Sequence, residues 1–382
     1  MHAPAMSRTE PHRLVHIDAM RAIAALLVIW IHVTEDVRVA SGGWFGELAL
    51  GLNVGGIGVM LFFMISGFVI PASLRAGQPR GQEIRRFVVS RLFRLYPAFW
   101  VSIIASLVFS WWLWGREVDG LAILANITMA PQPFGQPLLE GLYWTLLTEL
   151  VFYVLCAGLF AAGLLDRAGV LAGVSLALAV LFIAGYVNGV RTTANPLLFL
   201  YYREMPLHLS LMFASALLRK WYDGELGPGT ARSVLLFLFG LWSIVLLWMS
   251  LTVDDDGQLA WRYLDIESSR AIGVVLFLTF CFWWKPTWAP LVWAGRVSYS
   301  LYLLHRPFTA ALLWLAAALP AMAWLHGNLF VSLAAVMVVS IAAAAIAYRA
   351  IEFPCIRLGR RLSRPVAERG GLAGGAFMLN ER

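Results

Sequence analysis

The chain has 382 residues, of which 60% are hydrophobic and only 13% are charged. Soluble domains carry about 25% charged residues, so this composition excludes a soluble domain and indicates a protein that crosses a membrane many times. The net charge of +7 does not indicate a nucleic-acid partner, because the basic residues are spread over the short segments between apolar runs.

The first apolar run, residues 15–34, predicts a membrane-spanning helix that carries Asp18, Arg21 and His32. At about 100° per residue, Arg21 and His32 lie about 20° apart around the helix, and Asp18 lies within about 60° of both. Ionisable side chains inside a span usually face the bundle interior or a water-filled cavity. Asp18 and Arg21 are therefore either an ion pair at the headgroups or functional residues. His32 is either a packing residue or a catalytic one.

The hydropathy pattern predicts about ten spans of roughly 20 residues, the length that crosses a hydrocarbon core of about 30 Å. They lie near residues 15–34, 53–73, 96–114, 139–162, 168–187, 196–217, 232–252, 268–285, 292–318 and 329–349. Most Lys and Arg residues fall on one side of this map, which places both termini in the cytoplasm. We therefore expect an all-α integral membrane protein. It comprises a cytoplasmic segment, 1–14, a single transmembrane domain, 15–354, and a basic, partly disordered cytoplasmic tail, 355–382.

The second span is rich in glycine and contains Ser66, and its small residues are expected to let helices pack closely. A basic segment follows, ending in Arg91, Arg94 and Pro97. Pro97 is expected to end a juxtamembrane helix and to start the third span, because proline is tolerated in a first helical turn. The two arginines project from one helix face. They form either a lipid-facing basic collar or a clamp for a phosphorylated cytoplasmic ligand.

The fourth span carries Glu149 deep within apolar residues, with no basic neighbour in its own helix. A carboxylate at this depth needs a partner from another helix, and the candidates are His32 or an arginine. In the sixth span, Arg203, Glu204 and His208 either line a cavity or lie at the outer interface. The three cysteines have no metal-ligand spacing, and the aspartates at 254–256 lack the spacing of a calcium loop, so no metal site is predicted.

Six motifs in this order resemble the acyltransferase-3 family of integral membrane acyltransferases. They are Asp18-Ala19-Met20-Arg21 followed by His32, Ser66-Gly67 within the stretch from Phe63 to Phe68, Arg91 and Arg94 before Leu95-Tyr96-Pro97, Trp144 with Glu149, Phe152 and Tyr153, the stretch Ser298-Tyr299-Ser300-Leu301-Tyr302-Leu303 with His305, and Glu352 with Pro354. Thr145 stands where the family pattern has serine, and Phe353 stands where it has lysine.

The resemblance implies O-acyl transfer, usually of acetyl, from cytoplasmic acyl-coenzyme A to a sugar hydroxyl of a cell-surface glycan, glycolipid or glycoside. Acyl-coenzyme A is then a cosubstrate, and no bound cofactor is expected. The enzyme is expected to contact membrane lipids, and the resemblance implies a bacterial inner membrane. Some members carry a fused extracytoplasmic hydrolase-like domain, which this sequence is expected to lack.

The resemblance also implies roles for individual residues. His32 is the candidate general base, because a neutral imidazole accepts a proton near neutral pH. Glu149 is expected to orient the imidazole if it reaches a ring nitrogen. The acyl-coenzyme A phosphates are assigned to Arg86, Arg91 and Arg94. Supporting roles fall to Asp18, Arg21, Ser66, Trp144 and Tyr153, with Ser66 as the candidate hydroxyl if a covalent acyl-enzyme forms.

Because His32 lies toward the outer face, the acceptor is expected to approach from that side. Two other functions stay open, a multi-span secondary transporter and a polymer-export subunit. A transporter should show interrupted helices in corresponding halves of the chain, and no such internal symmetry is visible. The identity of the acceptor and of the acyl group, the oligomeric state and any part played by His305 cannot be read from the sequence.

Overall fold

The structure is a computed structural model that describes residues 14–37, 43–74, 79–187, 204–227, 264–323 and 328–363, with a few single positions between these ranges. Over these ranges the chain is helical and has no strand, which confirms the predicted all-helical class. Its helices are α1 (Val15–Asp36), α2 (Gly43–Gly51), α3 (Val54–Val69), α4 (Arg80–Ser106), α5 (Gly120–Ile127), α6 (Trp144–Ala161), α7 (Ala168–Val187), α8 (Met205–Tyr222), α9 (Leu264–Phe282), α10 (Ala289–Arg296), α11 (Ser298–Ala318), α12 (Leu329–Ala347) and α13 (Phe353–Leu362).

The described residues contain 7 helical segments long and apolar enough to cross a membrane, where the sequence predicts about ten. They are Val15–Asp36, Val54–Ser73, Arg80–Trp114, Gly141–Ala161, Ala168–Gly185, Ser298–Ala318 and Leu329–Leu362. The predicted span at 268–285 corresponds to a shorter apolar helix, Ser268–Phe282. The predicted span at 196–217 is described only from residue 204 onward, and most of 232–252 lies outside the described residues.

Helix α4 does not end at Pro97, so the predicted helix boundary there is wrong. Helix α4 continues through this proline from Arg80 to Ser106. Pro97 removes one backbone hydrogen bond, the one its missing N–H would donate to Phe93. Leu95 and Phe99 on either side of it are buried, so the helix keeps its packed face at the expense of one hydrogen bond.

The last helical segment also extends further than the predicted span. A π-helical turn, Tyr348–Glu352, joins α12 to α13, so the described part of the predicted tail, residues 355–363, begins as a helix. Helix α13 packs against α4. A Cβ added to Gly359 would lie 2.6 Å from Cβ of Phe93, so the two helices approach closely there.

Helix α1 lies at the centre of the bundle, packed against α3, α10, α11 and α12. Small residues permit this packing, as predicted for the second span. A Cβ on Gly58 of α3 would lie 2.5 Å from the carbonyl oxygen of Ala24 on α1. The other side of α3 packs on α8, where a Cβ on Gly67 would lie 2.2 Å from the carbonyl oxygen of Met212. On this central helix Asp18 is buried, whereas Glu35 and Asp36 at the other end are exposed.

Candidate active site

Three cavities follow one another along α1. The first, which we call the vestibule, has a volume of about 650 Å³ and lies at the end of α1 that carries Asp18 and Arg21. The middle cavity, of about 90 Å³, is lined by residues that include Ser66 and Glu149. The far cavity, of about 260 Å³, lies at the other end of α1 and contains His32. Asp18 and His32 are separated by about 21 Å of helix.

Neighbouring cavities share lining residues. Arg21 and Arg94 line both the vestibule and the middle cavity. Val59 and Tyr302 line both the middle and the far cavity. The three cavities therefore form one line from the arginines near the start of α1 to the histidine near its end.

Arginine is the dominant residue type of the vestibule. Its wall includes Arg21, Arg86, Arg94, Arg219, Arg296 and Arg360. Oδ1 of Asp18 lies 3.4 Å from Nη1 of Arg21, so the two residues form an ion pair. Both line the vestibule, so the pair faces the interior. Arg86 forms an ion pair of 2.8 Å with the buried Glu83. This excess of guanidinium groups makes the vestibule suitable for a ligand that carries several phosphates.

Three of the vestibule arginines were missed by sequence reasoning. Arg219, Arg296 and Arg360 belong to α8, α10 and α13, far apart along the chain. Each resembles the ordinary basic residues that flank membrane spans. Only the packing of these helices around the start of α1 brings them together.

The middle cavity is organised around Glu149. Its Oε1 accepts hydrogen bonds from the Ser66 hydroxyl, at 3.3 Å, and from the Tyr153 hydroxyl. Arg21, Arg91 and Arg94 line the same cavity. The Glu149 carboxylate therefore lies among arginines, one of the two kinds of partner considered for it.

Arg91 is held in place by neighbours on both sides. Its Nη2 donates a hydrogen bond of 3.1 Å to the Ser73 hydroxyl, and its guanidinium lies 5.3 Å and 5.4 Å from the ring centres of Phe87 and Tyr153. Arg91 lines the middle cavity, whereas Arg86 lines the vestibule and Arg94 lines both.

His32 and Glu149 have different hydrogen-bond partners, so the condition under which Glu149 would orient the imidazole is not met. Nδ1 of His32 lies 3.0 Å from Oε2 of Glu35, three residues further along the same helix. The predicted first span ended at residue 34, but α1 continues to Asp36 and so carries Glu35 on a helical turn beside His32. The spacing of three residues was the signal that could have identified it.

The tautomer of His32 follows from this contact. A carboxylate oxygen can only accept, so Nδ1 carries the proton that is shared with Glu35. The lone pair of the neutral ring then lies on Nε2, where it can take a proton from a substrate hydroxyl. Glu35 holds the ring in this form, and a carboxylate in this position can also stabilise a protonated ring, as one does in a hydrolase triad.

The far cavity adds aromatic and charged residues around His32. Trp144 and His208 line it with ring centres 5.3 Å apart, and Glu204 forms an ion pair of 2.9 Å with Arg270. Glu204 and His208 therefore line a cavity, one of the two positions considered for them, whereas Arg203 lies outside the described residues. An aromatic ring beside carboxylates and hydroxyl groups can bind a polar ligand with apolar faces.

Comparison with known proteins adds a family and two relatives. Residues 14–349 match the family model described as an acyltransferase domain. The chain is 27% identical over 335 residues to the putative peptidoglycan O-acetyltransferase YrhL of Bacillus subtilis, an alignment that covers 78% of this chain and 49% of that protein. It is 24% identical over 324 residues to the peptidoglycan O-acetyltransferase OatA of Listeria monocytogenes, covering 76% and 48%. The chain spans about half the length of these relatives, and no solved structure matches it.

Proposed function

We propose, because the chain belongs to the acyltransferase-3 family of integral membrane acyltransferases, that it transfers an acetyl group from acyl-coenzyme A to a sugar hydroxyl of a cell-envelope glycan. Both relatives are named peptidoglycan O-acetyltransferases, so peptidoglycan is the first acceptor to test. We assign the chain to a bacterial inner membrane, with the vestibule and both termini on the cytoplasmic side. The observation that carries this proposal is the line of three cavities that leads from the arginines to His32.

The vestibule is the site for the coenzyme A head group. Its six arginines come from five helices, α1, α4, α8, α10 and α13, and guanidinium groups bind phosphate oxygens with paired hydrogen bonds. Arg94 and Arg86 keep the phosphate-binding role assigned from the sequence. Arg91 lines only the narrower middle cavity, so it acts closer to the acyl end of the donor.

The middle cavity is the passage for the acyl-bearing arm of the donor. Because it shares Arg21 and Arg94 with the vestibule, an arm that enters from the head-group site reaches it without leaving the protein. Val59 and Tyr302 then separate its far end from the cavity of His32. The acceptor approaches His32 from the opposite end of α1.

His32 is the general base of the transfer. The acceptor hydroxyl gives its proton to Nε2 of His32, its oxygen forms a bond to the acyl carbon, and the carbon–sulfur bond breaks to release the thiolate of coenzyme A. Glu35 supports this step through Nδ1. Glu149 instead compensates the arginine charges of the middle cavity, together with Ser66 and Tyr153. Direct transfer needs no acyl-enzyme on Ser66.

The test is transfer of radiolabelled acetyl from acetyl-coenzyme A to peptidoglycan fragments by the purified protein in liposomes. We expect the intact protein to label the glycan and His32→Ala to abolish labelling. His16→Ala is the matched control, since His16 is a second buried histidine of α1 that lines none of the three cavities. Full labelling by His32→Ala would refute the assignment of the base. Absence of labelling by the intact protein would favour a transporter or an export subunit.

A further inference from the structure

A second histidine lies directly against His32. His305 of α11 is 0% exposed, and its ring centre lies 5.4 Å from that of His32 with 21° between the ring planes. The two rings are therefore stacked with an offset, one of the preferred arrangements of aromatic pairs. His305 does not line any of the three cavities, so a substrate reaches His32 and not His305.

The tautomer of His305 is set by its own helix. Nδ1 lies 2.7 Å from the carbonyl oxygen of Tyr302, and a carbonyl oxygen only accepts, so Nδ1 donates. The lone pair of His305 is then on Nε2, which is buried and has no hydrogen-bond partner among the described residues. A second proton at this nitrogen would leave a buried charge without a counter-ion beside it, so the ring stays neutral.

The helices that carry the two histidines are tied together one turn further on. Nη1 of Arg306, the residue after His305, lies 2.5 Å from Oδ2 of Asp36, four residues after His32. Thr309 donates a hydrogen bond of 2.8 Å to the carbonyl oxygen of His305. The charged groups around the stack are thus Glu35 on Nδ1 of His32, the pair of Asp36 and Arg306, and Glu140, whose Oε2 lies 4.0 Å from Nε of Arg306. The stack is held from both helices and does not depend on a bound ligand.

We propose that His305 is a positioning residue for the transfer reaction: its neutral ring fixes the plane of His32 and stabilises the imidazolium that forms when His32 takes the hydroxyl proton. The face of an aromatic ring carries partial negative charge, so it favours a cation stacked upon it. His32 is neutral before the proton transfer and positive after it. The contact is therefore stronger in the second state, which is the condition for an interaction that raises kcat. This inference rests on the proposed function.

Two substitutions at His305 distinguish the effect of its aromatic ring from the effect of its hydrogen bond to the carbonyl oxygen of Tyr302. His305→Phe keeps an aromatic ring against His32 and loses the Nδ1 donor, whereas His305→Asn keeps a donor toward the carbonyl oxygen of Tyr302 and loses the ring. The matched control is His16→Phe, a change of the same kind at a buried histidine of α1. The measurements are kcat and KM for acetyl transfer, and the rate at which diethylpyrocarbonate modifies His32, followed by mass spectrometry of its peptide.

We expect His305→Asn to lower kcat about tenfold with KM for acetyl-coenzyme A unchanged. It should also speed modification of His32 several-fold, because one face of that ring is then uncovered. His305→Phe should stay within about threefold of the intact protein in both measurements, and His16→Phe should change neither.

An unchanged kcat in His305→Asn would overturn the inference, and so would an equal loss in both His305 variants with no change in the modification of His32. The modification rate needs no acyl acceptor, so it tests the stacking contact independently of the transfer. If the intact protein transfers no acetyl at all, the proposed function fails, and the modification rates still decide whether His305 covers His32.

Discussion

Gly295 at the end of α10 lies directly against the backbone of Asp18 on α1. A Cβ at this position would stand 1.7 Å from the carbonyl oxygen of Asp18. No rotation of a side chain relieves such a clash, because the opposing atom belongs to the backbone. Both residues line the vestibule, so this close contact between α1 and α10 also helps to set the shape of that cavity.

Gly295→Ala is therefore expected to destabilise the protein by about 3 kcal/mol, since the two helices must separate to admit one methyl group. The measurement is thermal unfolding of the detergent-purified protein. Gly173→Ala on α7 is the control, because nothing lies within 4 Å of a Cβ there. It should leave stability unchanged or raise it by less than about 1 kcal/mol. Equal unfolding temperatures for the two variants would contradict the close contact.

Arg94→Ala is expected to raise KM for acetyl-coenzyme A by about tenfold or more, since a hydrogen bond between charged groups contributes about 1.5–3 kcal/mol. Arg94 lines both the vestibule and the middle cavity, so under the proposed function it lies where the head group of the donor meets the arm. Arg357→Ala provides the comparison, because Arg357 lies in α13 one turn before Arg360 but outside the vestibule. A similar KM in both variants would remove the vestibule from donor binding.

Glu149→Gln is expected to lower the free energy of unfolding by about 3 kcal/mol. The amide can still accept hydrogen bonds from Ser66 and Tyr153, but Arg21, Arg91 and Arg94 lose a counter-charge in the same cavity. Ser66→Ala removes one hydrogen bond and no charge, so its effect should be about 1 kcal/mol. Chemical or thermal unfolding of both variants gives the comparison. A larger loss in Ser66→Ala would show that charge balance is not what Glu149 supplies.

The ion pair between Asp36 and Arg306 is expected to contribute modestly to stability. Their side chains are 24% and 29% exposed, so solvent screens the pair. A double-mutant cycle with Asp36→Ala and Arg306→Ala should give a coupling energy of about 1 kcal/mol at low salt. At 1 M salt the coupling should fall, because the Debye length drops to about 3 Å. A coupling that is independent of salt would indicate that the pair is shielded from solvent.

Much of the candidate site could be predicted from the sequence, because ionisable residues inside apolar runs usually face the bundle interior or a water-filled cavity. Asp18, Arg21, His32 and Glu149 stand out in this way, and each of them lines one of the three cavities. The contacts that each of these residues makes could not be predicted from the sequence. Glu149 and His32 are both buried-face residues of spans, yet one pairs with residues of α3 and α6 and the other with Glu35 on its own helix.

The limits of the fold prediction have a similar cause. Hydropathy identifies where a helix is apolar, but α4 and the joined helices α12 and α13 continue beyond their apolar parts into basic segments. Pro97 is a local signal for a helix boundary, and so is the end of the apolar run after Ala347, where the π-helical turn lies. Contacts between α4 and α13 keep both helices ordered past those points, and such contacts join residues far apart in the chain.

The narrowness of the middle cavity has a consequence for the membrane itself. Two wide polar cavities open toward opposite ends of α1, and a protein built this way could dissipate the proton gradient of the cell. The passage between them is the smallest of the three cavities, at about 90 Å³, and Arg21, Arg91 and Arg94 line it beside Phe62 and Tyr302. Positive charge in a narrow pore raises the electrostatic barrier to protons and other cations. The arginines that the proposed function assigns to the donor would thereby also oppose proton leakage.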